Sequence, residues 1–213
     1  MTIVFTSGYP YSGKTEFAKE LTKVLKKHKV VHIDPSTLRP ADYDSLDSEA
    51  QSKARIATWE VSQEMLTTNM KEPTSNIIIF DTCAAKSKNM LPHFQNAKVH
   101  KHNIVYVFIG ATLIECKQRA GPKWISNDVI DSYARDFNES VPKLRDASSK
   151  FFFIKNNNDN ERLNLKAAAQ KVAKVITNGS VSGIFEPKPL RSSVNRTGQK
   201  DNKRTKVQPN RPH

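Results

Sequence analysis

Residues Gly8, Tyr9, Pro10, Tyr11, Ser12, Gly13, Lys14 and Thr15 match the spacing G-x-x-x-x-G-K-[ST]. A pattern of this kind recurs by chance in roughly one chain per hundred of this length, so its context decides its meaning. The apolar run Ile3 to Thr6 precedes it, and a helical stripe of Phe17, Leu21, Val24 and Leu25 follows within Glu16 to His28. Strand, glycine loop and helix is the arrangement that cradles a phosphate. Glycines let backbone N–H groups turn inward around phosphate oxygens, and the helix start adds the positive end of its dipole. Lys14 then reaches the β- and γ-phosphates, and the Thr15 hydroxyl ligates Mg²⁺. Residues 8–15 are therefore the expected nucleotide-binding set, and ATP or another NTP with Mg²⁺ the expected cofactors.

Two acids stand where such a loop needs them. Asp81 ends the apolar run NIIIF, a place from which it would hold Mg²⁺ through water or touch the reacting groups; the alternative is a turn or capping residue. Asp34 ends VVHI, where a carboxylate accepts a proton from an attacking hydroxyl or lines it up. Pro35 follows, so a capping or turn role competes equally. Arg119 and Lys123 lie in CKQRAGPKW, after the fourth apolar run, and would close over a transferred phosphoryl group; a solvated basic face is the plain alternative. Arg39 and Arg55 are candidates for gripping an acceptor phosphate. The six histidines show no metal-ligand spacing, and two cysteines are too few for a structural zinc site.

These residues have to be positioned by strands and helices. Further apolar runs occur at Val30 to Ile33, Ile77 to Phe80, Ile104 to Ile109 and Phe151 to Ile154. Helical patterns occupy Ser48 to Met70 and Leu163 to Ile176. The alternation predicts an α/β fold, a parallel sheet with helices on both faces. In such sheets ligands sit beyond the carboxyl ends of the strands, where Asp34, Asp81 and the glycine loop all fall.

The chain has 213 residues and a net charge of +13, which points to a polyanionic partner. The expected organisation is a domain over residues 1–178 and a basic tail over 179–213. Residues 183–213 hold eight Lys and Arg against two acids, with few apolar anchors, and read as disordered. Such a tail suits a nucleic-acid partner, DNA or RNA; a solubilising extension or a protein-docking segment are the alternatives. Cys83 and Cys116 read as reduced thiols. The sequence has neither a signal-peptide pattern nor an apolar run long enough to span a membrane, so the expected location is the cytoplasm, or a host cytoplasm if the protein is viral. The oligomeric state is left open.

With GYPYSGKT, HIDPSTLR, FDTC and CKQRAGPK in order, residues 1–178 resemble the P-loop kinase group that contains phage-type polynucleotide kinases, zeta-toxin-like kinases, seryl-tRNA kinase and Kti-type proteins. The resemblance implies a sheet of order 2-3-1-4-5. It implies that Asp34 is the general base for a nucleic-acid 5′-hydroxyl and that Arg39 contacts substrate phosphate, one residue later than usual. FDTC stands where that group has D-T-N, with Cys83 replacing Asn. Arg119 matches the first of two lid arginines, and Lys123 replaces the second without its planar fork. The implied activity is transfer of a γ-phosphate to a hydroxyl, foremost a nucleic-acid 5′-OH. A small-acceptor kinase and an NTP-regulated RNA-binding adaptor of the Kti type are the alternatives.

Overall fold

The computed structural model describes residues 1–121, 126–157 and 161–178. Lys123 and the basic tail fall outside the described residues. The described residues contain five strands: β1 (Thr2–Ser7), β2 (Val30–Ile33), β3 (Ile77–Phe80), β4 (Asn103–Gly110) and β5 (Lys150–Lys155). They form one parallel sheet of order β2-β3-β1-β4-β5, the order that the resemblance to P-loop kinases implies. Among the described residues six α-helices flank it: α1 (Lys14–Val24), α2 (Ser48–Lys71), α3 (Ser87–Val99), α4 (Leu113–Ala120), α5 (Asn127–Ala147) and α6 (Glu161–Asn178).

The strands are predominantly apolar because both sheet faces are covered. Side chains alternate across the pleat, so neighbouring residues serve different cores. Val4, Ile79, Val105, Val107 and Ile154 face Phe17 and Leu21 of α1 and Leu165 and Val172 of α6. Ile3, Phe5, Ile78, Phe80 and Tyr106 face Leu66 and Met70 of α2, Met90 and Phe94 of α3, and Leu144 of α5. On this second face the rings of Phe5 and Phe94 lie 4.5 Å apart and those of Trp59 and Phe80 5.7 Å apart. Trp59 is thus partly core, as its helical position suggests.

Strand register sets up the site. Ile33 lies opposite Phe80, and Phe5 lies opposite Phe80 on the other side. The next residues, Asp34, Asp81 and Thr6, therefore line up at one edge of the sheet. Central strand β1 has its neighbours on opposite sides, so the loop that follows it opens into the crevice between diverging connections.

The sequence reading assigned no elements to residues 87–99, 113–120 and 127–147, which form α3, α4 and α5. Two of these helices carry interior prolines, Pro92 and Pro142. Each proline forfeits one backbone hydrogen bond. Burial of Met90, Phe94 and Ala97 in α3, and of Ile130, Phe137 and Leu144 in α5, outweighs that loss.

The longest helix, α2, buries only Thr58, Ser62, Leu66 and Met70, a stripe at four-residue spacing. Leu66, fully buried, is its main apolar anchor on the sheet. Leu66→Ala should lower unfolding stability by about 2–5 kcal/mol. Ile56→Ala on the same helix, at a side chain 57% exposed, should change it far less. Urea unfolding of the two variants checks the contrast; equal losses would mean that α2 is not anchored at Leu66.

Candidate functional site: a phosphate loop beside a buried carboxylate

The loop after β1 has the shape its glycines allow. Gly8 has φ +146°, and a Cβ there would sit 2.3 Å from the Ile109 carbonyl oxygen, so no other residue fits. Gly13 has φ 95° and starts α1 with no side-chain cap. Tyr11 also has positive φ, at 63°, an uncommon conformation for an aromatic residue and the kind of local strain found at ligand sites. Two other helix starts are capped by side chains: Asp47 accepts from the Ala50 N–H at α2, and Thr112 and Glu115 form a capping box at α4, whereas the N-cap residues of α3 and α5, Lys86 and Ser126, make no such bond. The uncapped first turn of α1 keeps its amide donors for an anion.

Lys14 is 9% exposed and donates from Nζ to the Tyr9 carbonyl at 2.7 Å. The same carbonyl accepts from the Ser12 N–H at 3.1 Å. The ammonium group is thereby held at the mouth of the loop, within the same turn that its phosphate target would occupy.

Asp81 lies directly beside this loop. It is 4% exposed, and its Oδ1 accepts from the Thr6 hydroxyl at 2.9 Å. Oδ2 is buried without a hydrogen-bond partner, and His32 Nε2 stands 3.8 Å from it, beyond hydrogen-bond length. Burial pushes this carboxyl's pKa up, but the polar side chains of His32, Thr15 and Thr6 and the charge of Lys14 outweigh it and hold the group below the ordinary carboxylate range. A buried, ionised carboxylate with one oxygen unsatisfied, next to the Thr15 hydroxyl, fits the hydration shell of a magnesium ion. Among the described residues no cluster of three or more His, Cys, Asp or Glu forms a metal site of its own.

Asp34 is 8% exposed, and its Oδ1 accepts from the Ser36 N–H at 2.8 Å. It caps the short 3₁₀ turn Pro35–Leu38, the role that Pro35 made a serious rival to catalysis. Arg119 reaches the loop from α4, donating to the carbonyls of Tyr11 at 3.4 Å and Asn156 at 3.0 Å. Arg39 lies over the Tyr43 ring at 4.6 Å, exposed and away from the loop.

A cleft of about 640 Å³ opens beyond Asp81. Arg55 and Trp59 of α2 form one wall, Tyr133 and Asp136 of α5 the other, and Thr82 and Cys83 the floor. Of the acceptor-side candidates, Arg55 lines this cleft, while Arg39 and Asp34 do not. Cys83 ties the floor to the loop: its carbonyl accepts from the Ser7 hydroxyl at 2.9 Å and from the Gly8 N–H at 3.4 Å. Tyr9 packs edge-on against Phe137 of α5 at 5.0 Å. The sequence reading missed Thr6 and Asn156. Thr6 carried a signal, being the first polar residue after the apolar run of β1, next to the strand that leads into Asp81; Asn156, remote in sequence, carried none.

The electrostatics give a test. The Asp81 pKa is lower folded than unfolded, so its ionised form stabilises the fold above the unfolded carboxylate pKa, and that contribution fades as pH falls toward the folded value. Asp81→Asn should therefore be less sensitive to acid than the wild type. Unfolding free energy against pH, from about 5 down to 3, should fall less steeply in the variant. Parallel slopes would mean that Asp81 is not held ionised.

Comparisons with known proteins bear on the fold and the family. None of the curated proteins matches the chain. The PezAT toxin–antitoxin system of Streptococcus pneumoniae superimposes with a TM-score of 0.56 at 14% identity, covering 84% of this chain and 86% of that one. Shikimate kinase from Acinetobacter baumannii gives 0.53 at 13% identity, covering 85% and 96%. The Mycobacterium tuberculosis APS kinase CysC, solved with AMPPNP and APS, gives 0.53 at 13% identity, covering 82% and 96%. At these identities the likeness establishes the P-loop kinase fold. The family model described as chromatin associated protein KTI12 matches residues 1–212, virtually the whole chain, and the protein belongs to the KTI12 family.

Proposed function

We propose that this protein binds a nucleoside triphosphate with Mg²⁺ at residues 8–15 and hydrolyses it in a cycle that regulates binding to RNA. The observation that carries the nucleotide half is the uncapped loop of Gly8 to Thr15 set against the ionised, half-satisfied carboxylate of Asp81. The match of the KTI12 model over residues 1–212 supports an adaptor of that type, and the tail charge of eight bases against two acids supports a polyanionic partner.

In hydrolysis a water attacks the γ-phosphorus, and the bond from that phosphorus to the β–γ bridging oxygen breaks. The loop amides receive the phosphate oxygens. Lys14 Nζ exchanges the Tyr9 carbonyl for the β- and γ-phosphates, and Arg119 adds a second cation at the loop. Thr15 and Asp81 would hold a magnesium ion, which would supply positive charge beside the transferred phosphate when bound.

A second reading is favoured by the cleft: γ-phosphate transfer to a hydroxyl compound seated against Arg55 and Trp59, a nucleic-acid 5′-OH or a small acceptor. On the first reading Asp34 remains a capping residue. On the second it would have to release the Ser36 N–H or use its other oxygen to accept the acceptor's proton.

Lys14→Ala should cut ATP hydrolysis on the order of 10²-fold or more while the fold is retained, measured as phosphate release with and without RNA. Undiminished turnover in that variant would remove the loop from the chemistry. Asp34→Asn separates the readings. Hydrolysis should be nearly unchanged if Asp34 only caps its turn. A loss of roughly 10²–10⁴-fold in label transfer from γ-labelled ATP to an oligonucleotide, tRNA or nucleoside would establish the kinase.

A further inference from the structure

A phosphate loop works only if its amide N–H groups point inward. In a trans peptide the N–H and C=O point in opposite directions, so inward amides force outward carbonyls. Those carbonyls lie inside the protein and need donors of their own. Here the donors come from far away in sequence. The Tyr11 carbonyl accepts from Arg119 at 3.4 Å, although the amide of that same peptide, the Ser12 N–H, is turned to the Tyr9 carbonyl at 3.1 Å. Ser12 O accepts from Asn156 Nδ2 at 2.7 Å, a buried bond across 144 residues.

We infer that Asn156 is the positioning residue that locks the Ser12–Gly13 peptide with the Gly13 N–H facing the phosphate. Asn156 is fully buried at the end of β5. Its N–H donates to the Gly110 carbonyl at 2.7 Å, which fixes the residue to β4, and its own carbonyl accepts from Arg119 Nη2 at 3.0 Å. One side chain and its backbone thus join the sheet edge, the α4 arginine and the loop. The lock is needed because Gly13, at φ 95°, has the conformational freedom to let its preceding peptide turn over. A flipped peptide would aim the Ser12 carbonyl at the phosphate and remove one amide donor. Asn156 touches no phosphate; it acts through the peptide it holds.

This role rests on nucleotide binding at residues 8–15, so wild-type binding of Mg-ADP is measured first by calorimetry. Asn156→Asp is the test variant. It has the same shape but presents a carboxylate that cannot donate to the Ser12 carbonyl. Expected is a loss of Mg-ADP affinity on the order of tenfold or more at pH 7.5, with the variant still folded by circular dichroism. Acidification should return affinity toward the wild type measured at the same pH, because a protonated carboxyl regains a donor. A folded variant with wild-type affinity overturns the inference while leaving nucleotide binding intact. Absent binding by the wild type overturns the nucleotide reading instead. Should the variant not fold, the wild type still decides: the Gly13 amide resonance should shift strongly on adding Mg-ADP. An unmoved Gly13 resonance in the ligand-bound protein refutes the lock.

Discussion

A carboxylate that stays ionised while almost wholly buried is the constraint around which this site is built. Asp81 has lost its water, and a lone buried carboxylate would take up a proton. The Thr6 hydroxyl at 2.9 Å, the nearby His32 and Thr15 side chains and the Lys14 charge keep it ionised. That arrangement exists only because β1 and β3 are register partners, which brings the residue after Phe5 against the residue after Phe80. Sheet order and the electrostatics of the site are therefore one fact. Exchange the neighbours of β1 and the carboxylate loses its donor, and the loop loses its acid.

Much of this is legible in the amino-acid sequence. The five strands are short, apolar on both faces and bounded by polar or glycine residues, so their positions in the sequence agree with the structure to within a residue. The loop carries its own signature. What the sequence does not reveal is contact between remote residues. Asn156 sits in a polar run, KNNN, that reads as an ordinary turn; its burial and its bond to Ser12 depend on β5 reaching the loop edge. Helices α3 and α5 were obscured by Pro92 and Pro142, whose local penalty is recovered only by tertiary burial. Periodicity was present in α5 all the same, since Ile130, Phe137 and Leu144 recur at seven-residue spacing on one face.

The acceptor side divides differently. Asp34 left two roles open from spacing, and the structure gives it a hydrogen bond of the capping kind. Arg39 stands with Tyr43 instead of the cleft, whereas Arg55, a helical residue with no motif around it, lines the cleft wall. A short family-like segment transfers a residue by alignment, but the direction of a side chain depends on the turn that carries it. Here Arg39 ends the 3₁₀ turn Pro35–Leu38 and stacks on Tyr43, outside the cleft lining.

The missing cap on α1 shapes the energetics of the whole element. A capping side chain ordinarily contributes roughly 1 kcal/mol to a helix, and α2 and α4 both have one. α1 goes without, so its persistence is owed to its middle: Phe17, Ala18 and Leu21 are fully buried against the sheet and α6. Stability and readiness for a ligand are thus assigned to different turns of one helix. The first turn is left deliberately unfinished, and the next two compensate for it. A substitution that loosened Phe17 or Leu21 would accordingly weaken anion capture without touching a single donor in the loop, and one that gave α1 a better start would harden the fold at the expense of its use.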